Sequence, residues 1–172
     1  MLLTATRRGE AAGLRRSELS DDGRIWTIPG SRYKSGKDTL IPLSAPAQAI
    51  ITAMPVLAGG DHVFSVDGSR PLGDFDGRKQ EFDKACGVRD YVLHDLRRTS
   101  RTLLSRAGVV ADIAEMALGH ALGGVRATYD RFAYLDQKRQ AFEALAALIA
   151  RIVHPPEPVV ADMAVERRKR RK

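Results

Sequence analysis

The chain is poor in cysteine, in long apolar runs and in acid. Of its 172 residues only Cys86 is a cysteine, so no internal disulfide can form, and a reducing cytoplasm is the expected setting. No apolar stretch approaches the ~18 residues of a membrane-spanning helix, so no membrane span is expected. The opening, MLLTATRRGE, reaches charge too early for the apolar core of a secretory leader. Internal repeats are lacking too. Asp and Glu number 21 against 28 Lys and Arg, a net charge of +7. That balance favours a polyanionic partner, nucleic acid before a membrane surface. Part of the excess is local. From His154 on, six basic residues face three acids, which leaves +4 for residues 1–153. Charge alone therefore does not establish DNA binding.

What the chain does have is material for a core. Hydrophobic residues make up 44%, enough for one folded domain at this length. Residues 7–19 read as a helix with Leu14 and Leu19 inward. After the turn signal at 21–23, residues 24–28 alternate as a strand does. Residues 31–43 read as a hairpin, with Ser35, Gly36 and Lys37 near its turn and Pro42 at a strand end. Residues 44–55 have a serine cap and an apolar face, hence a helix. Residues 59–73 read as loop, and 74–86 as an amphipathic helix with Phe75, Phe82 and Ala85 inward. From His94 onward the pattern is helical: about 95–107, stopped by Gly108; about 110–118, stopped by Gly119; a short helix near 124–131; and a longer one over about 135–152. The expected fold is α+β and mainly α-helical, with a small three-stranded antiparallel sheet. A Pro-rich linker and a basic tail (154–172) follow the domain.

Five polar signals stand at element ends, where function concentrates. They are Arg7, Arg8 and Glu10; Lys34; His94 with Arg97; His120; and Tyr129. Each has an ordinary explanation. Arg7 and Arg8 fit a solvated helix start, and Lys34 a solvated turn. His94 fits a helix cap, His120 a cation on a helix C-terminal dipole, and Tyr129 a half-buried core residue. Three residues separate His94 from Arg97, so both side chains share one helix face.

Taken together, in order and spacing, these residues resemble the catalytic domain of the tyrosine recombinases, the phage-type integrases. Thr4-Ala5-Thr6-Arg7-Arg8-Gly9-Glu10 stands for the family's first box, Lys34 ahead of Ile41-Pro42-Leu43 for its hairpin lysine, His94-Asp95-Leu96-Arg97 and Leu118-Gly119-His120 for its later boxes, and Tyr129, nine residues past His120, for its nucleophile. Ala5 departs from the family's usual glycine and Thr6 from its usual apolar residue. At positive φ an alanine would be strained by ~1 kcal/mol. The resemblance covers Leu2 to about Leu148. It implies that residues 1–153 are a recombinase catalytic domain lacking its first helices and the DNA-clamping domain that the family carries before them.

The resemblance also implies a reaction. Tyr129 attacks a DNA phosphodiester and becomes a 3′-phosphotyrosine, with no metal or nucleotide cofactor. Arg7 and Arg97 neutralise the transition state, and His94 and His120 add hydrogen bonds. Lys34 protonates the departing 5′-oxygen, and Glu10 orients an arginine. The implied partners are double-stranded DNA and further copies of the chain, in a bacterial or phage-derived setting at the nucleoid. Arg98, next to Arg97, is expected to point away from the site. Tyr134 is the rival nucleophile. Two other readings stand beside this one: an inactive or DNA-binding-only remnant of a mobile-element integrase, and a helix-turn-helix regulator built on residues 103–121.

Overall fold

The elements run α1 (Arg8–Ala12), β1 (Ile25–Ile28), β2 (Thr39–Pro42), α2 (Ala45–Ala53), α3 (Phe75–Cys86), α4 (Leu93–Arg106), α5 (Ala111–Ala117) and α6 (Leu135–Val153). Single 3-10 turns lie at Arg16–Glu18 and Gly30–Arg32. The computed structural model describes residues 1–120 and 134–156. The helix expected near 124–131 and the tail beyond residue 156 lie outside them. The architecture is α+β and mainly helical.

The sheet is smaller than expected. β1 and β2 pair antiparallel, Ile25 opposite Pro42 and Ile28 opposite Thr39. Among the described residues it has these two strands rather than three. Single bridges from Leu19 to Trp26 and from Arg15 to His62 take the place of a third. The hairpin expected within residues 31–43 gives way to a loop that joins β1 to β2. In it the Gly30 N–H donates to the Asp38 carboxylate at 2.8 Å and the Gly36 N–H to the Tyr33 carbonyl at 2.9 Å. These local bonds satisfy backbone groups that a strand would have had to pair across a ladder.

Two helices also differ from expectation. The first stops after five residues: the Gly13 N–H bonds back to Gly9, and a side chain at Gly13 would strike the Arg32 guanidinium. Leu14 is still buried, but outside the helix. α3 keeps the expected limits and turns the other way. Phe82 is 59% exposed and Ala85 is exposed, while Asp83 is buried. A polar clamp accounts for this. The Lys79 ammonium donates to Asp83 at 2.5 Å and lies 4.1 Å from the centre of the Tyr91 ring.

The helical half of the core is formed by α4, α5 and α6, through Leu103, Leu104, Ala114, Ala117, Phe142 and Leu145; Trp26, Ile28, Leu43 and Ile51 continue it under the sheet. A seven-residue helix such as α5 has little stability of its own. Each large apolar side chain buried here contributes roughly 1.5–3 kcal/mol, so packing holds α5 in place. The stretch proposed as a helix-turn-helix thus has Leu103, Leu104, Ala114 and Ala117 committed to the interior.

Lys138 on α6 is pressed against β2, and its ammonium donates to the Leu40 carbonyl at 2.6 Å. Burial lowers its pKa from 10.5 to about 8. Below pH 8 the folded and unfolded chains both hold the proton. Between about 8 and 10.5 only the unfolded chain does, so the folded state gains stability as pH rises through that window. The gain is at most about 3 kcal/mol. Urea unfolding of the wild type and Lys138→Met across pH 7–10.5 should show the wild type gaining on the variant; parallel profiles would refute the burial.

Candidate functional site

The buried face of α4 is unusual in carrying two polar residues among leucines. Ser100 donates to the Leu2 carbonyl at 2.6 Å, besides the Leu96 carbonyl one turn back. Arg97, only 4% exposed, donates to the Ala5 carbonyl and, at 2.5 Å, to the Leu118 carbonyl. One side chain therefore joins the first box, α4 and the turn after α5. Ala5 is fully buried with φ +50°, so the strain expected of a non-glycine residue is present. The buried Thr4 and Thr6 hydroxyls meet at 2.8 Å across this turn. Arg7 follows at the head of α1. Its N–H and its guanidinium each donate to a different oxygen of the buried Glu10, both at 2.7 Å. Burial works against the charge of Arg7, but Glu10 and then Tyr33 hold its pKa above the ordinary arginine value.

α5 ends in a Schellman turn. Gly119 takes φ +73° and donates to the Met116 carbonyl, and the His120 N–H reaches back to the Glu115 carbonyl. The Glu115 side chain holds the same residue again, with His120 Nδ1 2.6 Å from one carboxylate oxygen. The other oxygen accepts from Arg101 Nε at 2.7 Å. Arg101, followed by His120, lowers the pKa of Glu115. A methyl group at Gly119 would overlap the hydroxyl of the buried Tyr33, whose ring also lies 5.8 Å from the Arg7 guanidinium.

These elements surround a cavity of about 400 Å³ lined by Arg7, His94, Arg97, Arg98, Arg101, Leu118 and His120. Four of the residues singled out in the sequence thus meet, drawn from α1, α4 and the end of α5. His94 is exposed on the first turn of α4. The N-terminal cap there is made instead by Asp95, which accepts from the Val92 N–H at 2.9 Å. Arg98 was expected to point elsewhere, yet it lines the cavity. Its long side chain is bent along the helix by Asp95, at 3.0 Å. Lys34 is exposed in the turn after Tyr33 and is not among the lining residues. Tyr129 lies outside the described residues. Tyr134 begins α6 in a left-handed conformation, φ +70°, away from this lining. A second cavity, of about 290 Å³, is apolar except for Thr4 and offers no such chemistry.

The electrostatics of the first cavity are one-sided. None of the ion pairs among the described residues involves Arg97. Burial and then the neighbouring Arg7 push its pKa down. A buried cation facing another cation is costly unless an anion completes the site. Forked guanidinium donors of this kind suit an anion with several acceptor oxygens.

The phage integrase family model matches residues 1–134. The chain belongs to the phage integrase family. It is 33% identical over 151 residues to prophage integrase IntA of Escherichia coli, covering 86% of this chain and 37% of that protein. Its fold is similar to that of the integrase from mycobacterium phage Brujita, with a TM-score of 0.62 at 22% identity, over 84% of this chain and 48% of the other. The chain thus spans less than half the length of either. Sequence reasoning missed Tyr33, Arg101 and Glu115 around its cavity. Arg101 was accessible, being one turn beyond Arg97. Glu115 was not, because a five-residue spacing to His120 closes only when the helix stops at Gly119. Tyr33 had no signal beyond its neighbour Lys34.

Replacing Gly119 by alanine should destabilise the chain by about 2–4 kcal/mol, through backbone strain plus overlap with Tyr33. Adding Tyr33→Phe should recover part of the loss in thermal melts. An unchanged melting temperature in Gly119→Ala would contradict the packing described.

Proposed function

We propose that this chain cleaves and rejoins DNA strands at specific sites through a 3′-phosphotyrosine, as the chemical core of recombination or integration. The observation that carries the reading is the buried Arg97 guanidinium. It has no carboxylate partner among the described residues and shares one cavity with Arg7, His94 and His120. A phosphodiester in that cavity would place its non-bridging oxygens against two guanidiniums. Preorganised cations of this kind stabilise the extra negative charge of a pentavalent transition state.

In the proposed step Tyr129 Oη forms a bond to phosphorus as the bond to the 5′-oxygen breaks. The tyrosine proton leaves by way of His94. Lys34, carried by a loop that Tyr33 anchors against Gly119 and Arg7, gives a proton to the 5′-oxygen. His120 donates to the phosphate, and Glu10 holds Arg7. The phosphotyrosine keeps the energy of the broken ester, so rejoining needs no cofactor. Residues 1–153 act as the catalytic domain and 154–172 as a linker and basic tail. Double-stranded DNA is the substrate, copies of the chain assemble on it, and the work is done in the cytoplasm at the nucleoid. Among the described residues no helix is long and apolar enough to cross a membrane.

The test uses a library of nicked suicide duplexes, with covalent adducts captured under denaturing conditions. The wild type should form an adduct and Tyr129→Phe none. Arg97→Ala should slow adduct formation about 100-fold or more, the usual cost of losing a transition-state donor. An adduct that survives in Tyr129→Phe but is lost in Tyr134→Phe would transfer the nucleophile to Tyr134. No adduct on any duplex would favour the remnant reading.

A further inference from the structure

We propose that Glu115 is the positioning residue for His120, itself anchored by Arg101; the inference deepens the proposed phosphodiester site and rests on that reading. Glu115 grips His120 twice, by its backbone carbonyl and, at 2.6 Å, by its carboxylate on Nδ1. The same carboxylate accepts from Arg101 Nε at 2.7 Å, and Arg101 Nη1 donates to Ser105 at 2.6 Å. The chain of contacts runs from α4 to α5 to the histidine. Arg101 and His120 both line the cavity. An arginine can only donate, and an ionised carboxylate can only accept. One carboxylate oxygen is committed to Arg101, and the other accepts a hydrogen bond from the Nδ1–H of the ring. The ring is thereby fixed with Nε2 as the nitrogen left for a ligand.

The surroundings make this carboxylate necessary. Among the described residues, the titratable groups lining the cavity are Arg7, Arg97, Arg98, Arg101, His94 and His120. Of the nearby acids, Glu10 is committed to Arg7 and Asp95 to Arg98. For His120 to donate to a phosphate through Nε2 while Nδ1 donates to Glu115, the ring must carry both protons.

An amide at position 115 separates positioning from mere stapling of α5 to α4. It has one acceptor, which Arg101 claims, so its NH₂ must face Nδ1 and turn that nitrogen into an acceptor. Ring ¹⁵N shifts of His120 in the free, full-length chain at alkaline pH should show Nδ1–H in the wild type. Glu115→Gln should switch the ring to Nε2–H, and Glu115→Ala should leave a mixture. Glu115→Gln should also slow adduct formation on a nicked duplex about tenfold, with DNA affinity unchanged, the lower end of what partners of metal-binding histidines cost when lost. A wild-type ring carrying its proton on Nε2, or the same Nδ1–H form in all three proteins, would overturn the proposal. The ring state is read without DNA. Failure of every duplex to yield an adduct would count against the cleavage reading and leave this result standing.

Discussion

The guanidinium of Arg97 is the constraint on which the rest of the site depends. It is buried on a helix whose other inward residues are Ser100, Leu103 and Leu104, and it donates to two backbone carbonyls, those of Ala5 and Leu118. Those carbonyls belong to segments 113 residues apart in the chain. Without the arginine, the Ala5 carbonyl would lose its partner in the interior, at a cost of roughly 1–3 kcal/mol. With it, the first box and the turn after α5 are held to one helix, and the side chains that follow them, Arg7 and His120, face the same cavity. The hydrogen bonds that build the site also fix the charge that gives it a use.

The second constraint is the stop after α5. Gly119 allows the chain to turn, leaves room for the Tyr33 hydroxyl and places His120 where Glu115 can hold it. Tyr33 then couples that turn to Arg7 on one side and to the Lys34 loop on the other.

Much of this was legible in the sequence, and for identifiable reasons. Helices α4, α5 and α6 were readable because glycines mark the ends of α4 and α5 and apolar residues recur at helical spacing. His94 and Arg97 were readable as a pair because three residues make nearly one turn. Arg7 and His120 could be joined to them only by resemblance, since nothing local in the sequence reports a bond from Arg97 to Ala5. The errors share a cause as well. The helix expected over residues 7–19 and the inward face of α3 were judged from apolar spacing, and the three-stranded sheet from apolar alternation and the turn residues Ser35, Gly36 and Lys37. Each was decided by polar contacts: the Gly13–Gly9 backbone bond that ends the first helix, the Gly30–Asp38 bond in the loop, and the Lys79–Asp83 pair beside Tyr91. Periodicity reports where apolar residues fall, not which distant carboxylate or carbonyl a cation will find.

The central claim is that Arg97 and Arg7 jointly form a pocket for a phosphoryl group. The most direct measurement is a crystal structure of the chain with orthovanadate, which mimics a pentavalent phosphorus centre. One vanadate should bind in the cavity, within ~3 Å of both guanidiniums and of His94 or His120. An empty cavity at saturating vanadate, or an anion bound without contact to Arg97, would contradict it.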